Sequence, residues 1–223
     1  MRVNEQDMEV QINAAGVLLE ADISVPSDPA GVVVFAHGSG SSRHSPRNQM
    51  VARHLWDANF ATALADLLTT AEERVDAHTG QFRFDIGLLT DRVVGVIDWL
   101  ATHPVLGSLP LGLFGASTGA AAALAAAAER PERVRSVVSR GGRPDLAGPR
   151  LSQITAPTML IVGGQDEQVL ELNETAKQML TGVCELRVIP GATHLFSERG
   201  ALEQVAEAAV EWFTMHLALR SSK

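Results

Sequence analysis

Short apolar runs alternate with amphipathic segments along most of this chain. Segments 32–36, 111–114 and 157–162 are compact apolar runs, which are typical of strands buried on both faces of a sheet. Between such runs, apolar residues recur every three or four positions, as they do in helices that pack one face against a sheet. This alternation predicts an α/β fold, with a mostly parallel twisted sheet and helices on both faces.

The pattern also predicts the individual elements. The expected strands are 10–12, 17–23, 32–36, 60–68, 111–114, 134–139, 157–162 and 184–189. The expected helices are 46–59, 85–103, 120–128, 169–180 and 202–217. Residues 13–16, between the first two strands, have a composition typical of a turn. This predicts that the two strands form an antiparallel hairpin. Segment 69–84 is polar without clear periodicity and is predicted to be a loop near the functional edge of the sheet. Segment 140–156 is rich in Gly and Pro, which predicts that the domain has a minimal cap over this edge or none.

A strand, a sharp turn and a helix meet at Ser117. The run 111–114 is followed by Gly-x-Ser-x-Gly and then by the alanine-rich segment 120–128, which has a very strong helix-forming composition. Gly115 and Gly119 leave room for a cramped turn because they lack a Cβ. The five-residue match is weak alone, but between a strand and a helix it predicts a nucleophile elbow with an exposed hydroxyl.

Size and charge narrow the class of partner. The chain has 223 residues with 46% hydrophobic content, which suits one globular domain over 1–223. A formal net charge of −8, with no basic block, argues against a nucleic-acid or anionic-membrane partner and favours a small molecule.

Cysteine count and the N-terminal segment indicate the compartment. Cys184 is the only cysteine, so a disulfide within the chain and a cysteine metal site are excluded, and we expect a small core residue there. Residues 1–11 are polar without the apolar centre of a signal peptide, and no run approaches the length of a membrane span. We therefore expect a cytoplasmic protein.

Three loops that follow predicted strands carry Ser117, Asp166 and His194. The carboxyl ends of parallel strands meet at one edge of a sheet, where ligands bind. The chain order Ser, Asp, His is also the order that accompanies a nucleophile elbow. The sequence therefore predicts a hydrolytic triad in which imidazole takes the serine proton and the carboxylate orients the ring.

With these motifs, the sequence resembles the α/β-hydrolase superfamily over nearly its whole length. The His37-Gly38 loop, the ending 191–194 and the compact size resemble its dienelactone-hydrolase-like branch. Dienelactone hydrolases proper carry cysteine at the elbow, whereas this chain has Ser117, so the resemblance implies a serine esterase rather than a dienelactone-specific enzyme. It also aligns Asp166 with the acid of the triad.

Further site residues follow from the loops. The second oxyanion donor is expected after the strand 32–36, so we assign the N–H groups of Ser39 and Thr118. The residues expected to contact substrate are His37, Gly38, Leu68 and Arg140. No pair of histidines with a carboxylate has metal-ligand spacing, so we predict no metal and no cofactor.

Several assignments keep rivals. Glu167 and Asp145 are the alternative acids. Five other histidines are weaker candidates for the base: His54, His103 and His216 lie in or at the ends of predicted helices, and His44 and His78 lack a preceding strand. His37 is expected to shape the loop after the strand 32–36. Arginines near the functional edge could meet an acidic substrate or pair with local carboxylates; these are Arg43, Arg47, Arg140 and Arg143.

The predicted function is hydrolysis of a carboxylic ester, lactone or thioester of a small molecule through an acyl-enzyme on Ser117. Acyl transfer uses the same triad and is the nearest alternative. From a different class, a ligand-binding or scaffold protein could keep the fold without turnover. The substrate and the oligomeric state stay open.

Overall fold

A computed structural model describes residues 6–217. Within that range eight strands form one sheet: β1 (Gln6–Ala14), β2 (Val17–Val25), β3 (Val32–Ala36), β4 (Ala61–Ala65), β5 (Leu111–Ala116), β6 (Val134–Arg140), β7 (Thr158–Gly163) and β8 (Cys184–Ile189). The strand order is β1-β2-β4-β3-β5-β6-β7-β8. Only the β1–β2 and β2–β4 pairings are antiparallel. The remaining pairings are parallel, as the sequence predicts.

Helices cover both faces of this sheet. They are α1 (Pro46–Asp57), α2 (Thr70–Thr79), α3 (Ile86–Thr102), α4 (Thr118–Glu129), α5 (Glu167–Met179) and α6 (Ala201–Leu217). Helices α1 and α6 contribute to one apolar cluster, while α3 and α4 contribute to the other. None of the helices described in residues 6–217 is long and apolar enough to cross a membrane.

Strand β3 shows why the apolar runs predicted a doubly covered sheet. Val32 and Val34 pack into the cluster on the α3 and α4 face, and Val33 and Phe35 pack into the cluster on the opposite face. Side chains of a strand alternate between its faces, so a strand covered on both sides must be apolar throughout. The strand places the loop that begins at His37 at the carboxyl edge of the sheet.

Segment 69–84 corrects one prediction. We expected a loop, but α2 occupies most of it. The Thr69 side chain accepts the N–H of Glu72, while the Glu72 carboxylate accepts the N–H of Thr69. This capping box starts the helix, and Gly80 in the left-handed conformation ends it. A polar helix without an apolar stripe is invisible to periodicity, whereas its caps are local signals.

Segment 140–156 contains no cap domain, in line with the sequence. It holds short 3₁₀ turns over Pro144–Gln153, interrupted at Gly148, where φ is 58°. Pro149 follows directly and cannot continue a helix from that point. The carboxyl edge of β5 and β6 is therefore crossed by short turns rather than by an inserted helical roof.

Candidate active site

Ser117 stands at the turn between β5 and α4. Its backbone has φ 52° and ψ −121°, a conformation that side-chain-bearing residues seldom adopt. Its N–H donates to the carbonyl oxygen of Arg140, and its own carbonyl oxygen accepts the N–H of Arg143, both at 3.2 Å. Backbone contacts to the β6 loop thus hold a strained serine at the edge of the sheet, which is typical of functional turns.

The two glycines of the motif permit this turn by close approach. A Cβ on Gly115 would lie 2.4 Å from the Cα of Ala120, and one on Gly119 would lie 2.3 Å from the carbonyl oxygens of Ala36 and His37. Neither position can carry a side chain without moving backbone. The predicted reason for glycine at both positions is confirmed, and the contact of Gly119 brings α4 against the end of β3.

The loop after β3 lies directly against Ser117. A Cβ on Gly38 would lie 3.0 Å from the Cβ of Ser117. The His37 ring fixes this loop because its Nε2 accepts the N–H of Leu67 and its Nδ1 lies 2.9 Å from the Gly38 carbonyl oxygen. Burial lowers the pKa of His37, so its ring is neutral at neutral pH. Both ring nitrogens are thus committed to shaping the loop.

Ser39 and Thr118 come next in these two segments. Thr118 begins α4, whose N-terminal end concentrates partial positive charge. Ser39 follows the glycine that touches Ser117. In the part of the chain that the structure describes, neither backbone N–H donates to another protein group. The two N–H groups assigned from sequence are therefore without a protein acceptor in the described chain.

His194 and Asp166 meet at the carboxyl ends of the neighbouring strands. His194 Nδ1 lies 2.7 Å from Asp166 Oδ2, with side chains that are 40% and 17% exposed. Asp166 is the N-cap residue of α5, yet its side chain does not cap that helix and turns to the imidazole instead. This hydrogen bond fixes the tautomer with the proton on Nδ1 and leaves Nε2 as the acceptor.

Backbone contacts hold these two loops together. A Cβ on Gly163 would lie 2.4 Å from the carbonyl oxygen of Ala192, so glycine lets the β7 loop pass beneath the β8 loop. Gln165 donates its N–H to Ala192 at 2.9 Å. Phe196, which is buried, follows in the same loop and donates its N–H to the Thr193 carbonyl oxygen at 3.1 Å. The acid and the imidazole are thus positioned by interlocked turns rather than by long mobile segments.

The rival residues have other partners. Asp145 receives both Arg143 Nε and Nη2, at 2.9 and 2.8 Å, and forms a bidentate pair with that arginine. Glu167 begins α5 and is exposed. Among the described residues, Asp166 is the only carboxylate that accepts a hydrogen bond from the His194 ring. The geometry favours Asp166 over both alternatives as the group that orients the ring.

The turn at Gly141 lies beside both Ser117 and His194. A Cβ on Gly141 would lie 3.6 Å from Cε1 of His194, and the residue before it accepts the Ser117 N–H. Within residues 6–217 the structure holds no direct hydrogen bond between the serine hydroxyl and the imidazole. In free enzymes this contact is often long, and it tightens when substrate binds.

A cavity of about 300 Å³ opens beside the two free N–H groups. Its wall includes five of the residues predicted from sequence: His37, Gly38, Ser39, Leu68 and Thr118. Another part of the wall comes from α2 and the segments around it, including Glu73, Asp76, Arg83 and Leu89. The sequence placed segment 69–84 near this edge but offered only His78 in it, as a rival histidine, and none of the residues that line the cavity. The capping box at Thr69 was the available signal for the helix.

Two of the four arginines at this edge pair with carboxylates. Arg43 donates its backbone N–H and its Nη1 to Asp66, and its Nε lies 3.2 Å from Asp22. Arg143 holds Asp145 as described above. Arg43 and Arg143 therefore pair with local carboxylates, which is one of the two alternatives that the sequence left open.

Arg140 differs from them. It is only 8% exposed, and its Nη2 reaches Asn48 Oδ1 at 3.5 Å, while its Nε and Nη1 find no partner among the described residues. Burial, together with the charge of Arg47, lowers the pKa of Arg140 to about 10. The structure does not place Arg140 in the wall of the cavity, so contact with substrate stays a prediction for this residue.

Other chemistry-bearing residues have ordinary surroundings. Cys184 begins β8 as a partly buried free thiol, and burial raises its pKa to about 11. A thiol of that kind is a poor nucleophile near neutral pH. Across residues 6–217, no group of three or more His, Cys, Asp or Glu side chains is arranged to hold a metal ion.

Comparison with known proteins gives a consistent family. A sequence model of the dienelactone hydrolase family matches residues 19–219. Two curated proteins of Mycobacterium tuberculosis, both named "Putative phosphoribosyl transferase", are 58% identical over 212 residues, which is 95% of this chain and 47% of each relative. The chain therefore spans about half the length of the curated relatives that it matches.

Solved structures agree on the fold. A dienelactone hydrolase from Anabaena variabilis is 52% identical, with a TM-score of 0.94 over 96% of this chain and 100% of that one. Est1E from Butyrivibrio proteoclasticus has a TM-score of 0.79 at 17% identity, over 95% of this chain and 99% of the other. The second likeness concerns the fold alone, and both confirm the α/β architecture predicted from the sequence.

Proposed function

The chain belongs to the dienelactone hydrolase family, and from that premise we propose that it is a serine hydrolase acting through an acyl-enzyme on Ser117. The bond cleaved is a carboxylic ester, lactone or thioester of a small molecule. The observation that carries this proposal is the 2.7 Å hydrogen bond between His194 and Asp166, on loops that flank a strained serine.

The chemistry divides among these residues. A serine hydroxyl is a poor nucleophile until a base removes its proton during attack, and Nε2 of His194 supplies that base. Asp166 holds the ring in the required tautomer and stabilises the imidazolium that forms. The imidazolium then protonates the leaving group, and the same histidine activates the water that releases the acyl group from Ser117.

The oxyanion is stabilised by the adjacent backbone. When the serine oxygen adds to the carbonyl carbon, negative charge develops on the carbonyl oxygen beside the free N–H groups of Ser39 and Thr118. The N-terminal end of α4 adds its partial positive charge at that point. Donors fixed in advance of the reaction cost no reorganisation as the charge forms. Family membership and the free donors therefore support the same acyl-transfer chemistry.

A fluorophosphonate probe tests the proposal without knowledge of the natural substrate. Only an activated serine attacks the phosphorus and displaces fluoride, leaving a covalent adduct. We expect one adduct per chain, located by peptide mass spectrometry at Ser117 and absent from Ser117→Ala. Failure to label the folded wild-type protein would instead favour a ligand-binding or scaffold role. Product analysis with added alcohol then separates hydrolysis from acyl transfer.

Asp166→Asn should lower kcat by up to about 10⁴-fold, as loss of the triad acid does in serine hydrolases. The amide keeps the side-chain shape, but it cannot stabilise imidazolium and it favours the wrong tautomer. Steady-state hydrolysis of p-nitrophenyl acetate measures the loss. Glu167→Gln and Asp145→Asn serve as matched controls and should each stay within a few-fold of wild type. A large loss in either control, with Asp166→Asn active, would move the acid to that residue.

A further inference from the structure

One carboxylate in the wall of the cavity lacks a partner. Glu73 lies on α2 and lines the cavity together with Ser39 and Thr118, and in residues 6–217 its carboxylate forms no hydrogen bond or ion pair. A half-enclosed carboxylate without a counter-charge loses hydration without compensation, so its presence in the same cavity wall as the two N–H donors points to a ligand that supplies the missing interaction.

The neighbouring ionisable groups are already satisfied. Asp76 accepts Arg83 Nε at 2.6 Å and also the backbone N–H groups of Phe82 and Arg83. Glu72 completes the capping box of α2 and lies 2.9 Å from Arg92. Since these carboxylates are paired, the only uncompensated charge that we find in the described cavity wall is the negative charge of Glu73.

The charged groups outside the cavity wall do not neutralise Glu73 either. Asp66, at the end of β4, is held by Arg43 from the loop that precedes α1. Loss of hydration is the largest cause that raises the pKa of Glu73; Asp66 and Asp76 raise it further, and Arg43 opposes them. His37, the remaining titratable group of the wall, is kept neutral by burial. Among the described residues, no cation near Glu73 is free to neutralise it.

From this geometry we propose that Glu73 is a specificity-determining residue, which favours esters with a positively charged group at the end that enters the cavity and disfavours carboxylated ones. This inference rests on the proposed hydrolase function and names the charge class of its substrates. An ammonium group restores the interaction that Glu73 lacks, whereas a carboxylate adds like charge to a wall that is already negative.

The test uses isosteric ester pairs that differ only in charge. For the acyl side, these are p-nitrophenyl 4-(trimethylammonio)butanoate and 5,5-dimethylhexanoate, with the hemiadipate ester, of similar length, as the anionic member. For the alcohol side, they are choline butanoate and 3,3-dimethylbutyl butanoate. In the pair whose varied end occupies the cavity, kcat/KM should favour the cation by about two- to fivefold, the range expected of a partly exposed ion pair.

Two measurements assign that preference to Glu73. In Glu73→Gln the cation-to-neutral ratio should fall to about one and hydrolysis of the hemiadipate should rise. Glu174→Gln, which removes an exposed charge from α5 outside the cavity, should keep the wild-type ratio. In the wild type the ratio should increase as pH rises through the raised pKa of Glu73, because only the ionised carboxylate attracts a cation. The ratio in Glu73→Gln should be independent of pH.

The outcomes separate the two proposals. Ready hydrolysis of all esters with a ratio near one in both pairs, or a ratio that Glu73→Gln leaves unchanged, overturns the role of Glu73 and leaves the serine mechanism standing. Absence of turnover for every ester, together with absence of fluorophosphonate labelling, overturns the hydrolase proposal and this inference with it. Where Glu73→Gln folds poorly, the pH dependence of the wild-type ratio still tests the role of Glu73, and a ratio that does not change with pH overturns it.

Discussion

Ser117→Ala should abolish ester hydrolysis, with kcat falling by on the order of 10⁶-fold, because the side chain that forms the acyl-enzyme is gone. The fold should survive. Ser117 is half-buried, its hydroxyl makes no structural hydrogen bond in the described chain, and the contacts that hold the turn run through its backbone. Hydrolysis of p-nitrophenyl acetate gives the rate, and thermal melting checks the fold.

A second serine provides the control for this result. Ser152 lies in the 3₁₀ turns after β6 and donates its hydroxyl to the Pro149 carbonyl oxygen, away from the elbow. Ser152→Ala should therefore keep wild-type kcat. Residual activity of Ser117→Ala above about one-hundredth of wild type would show that the acyl group is carried elsewhere or that water attacks directly. The covalent mechanism would then be wrong.

The elbow could be predicted from sequence because its determinants are local. A buried strand, five residues with glycine at two fixed positions and an alanine helix must fold into one tight turn, and the structure adds the contacts that make each glycine obligatory. Asp166 and His194 lie far apart in sequence, yet parallel strands bring their loops to one edge. Their hydrogen bond therefore follows from the order of the elements.

The part of the cavity wall that α2 forms could not be predicted in the same way. Helix α2 is polar on most of its surface, so no apolar periodicity marks it, and its place above Thr118 depends on tertiary contacts such as the ion pair of Arg92 with Glu72. Neither the isolation of Glu73 nor the pairing of Asp76 is encoded by spacing along the chain. The sequence does not predict which side chains pair with each other across loops.

The arginines illustrate the same limit. The sequence does not distinguish between the four arginines near this edge. In the structure Arg43 and Arg143 have carboxylate partners. Arg140 is buried beside Arg47 and has no carboxylate partner. Which arginine meets a carboxylate is decided by a few ångströms of tertiary placement. The paired arginines are engaged and cannot meet an acidic substrate, which agrees with a cavity whose unbalanced charge is negative.

His194→Ala should lower kcat by about as much as Ser117→Ala, because a serine without its base and a base without its serine are equally inactive. The 40% exposed imidazole leaves a solvent-accessible gap when it is removed. Added imidazole should therefore enter that gap, accept the serine proton and restore part of the activity. Ser117→Ala offers no such rescue, which distinguishes loss of a base from loss of the nucleophile.

The matched control for His194 is a histidine of the same edge with no role in the mechanism. His78 lies in α2, exposed to solvent, with its ring nitrogen on the Arg74 carbonyl oxygen of its own helix. His78→Ala should keep wild-type kcat and gain nothing from imidazole. If His194→Ala retained most of its activity while His78→Ala lost it, the base would lie on α2. The hydrogen bond between Asp166 and His194 would then be structural.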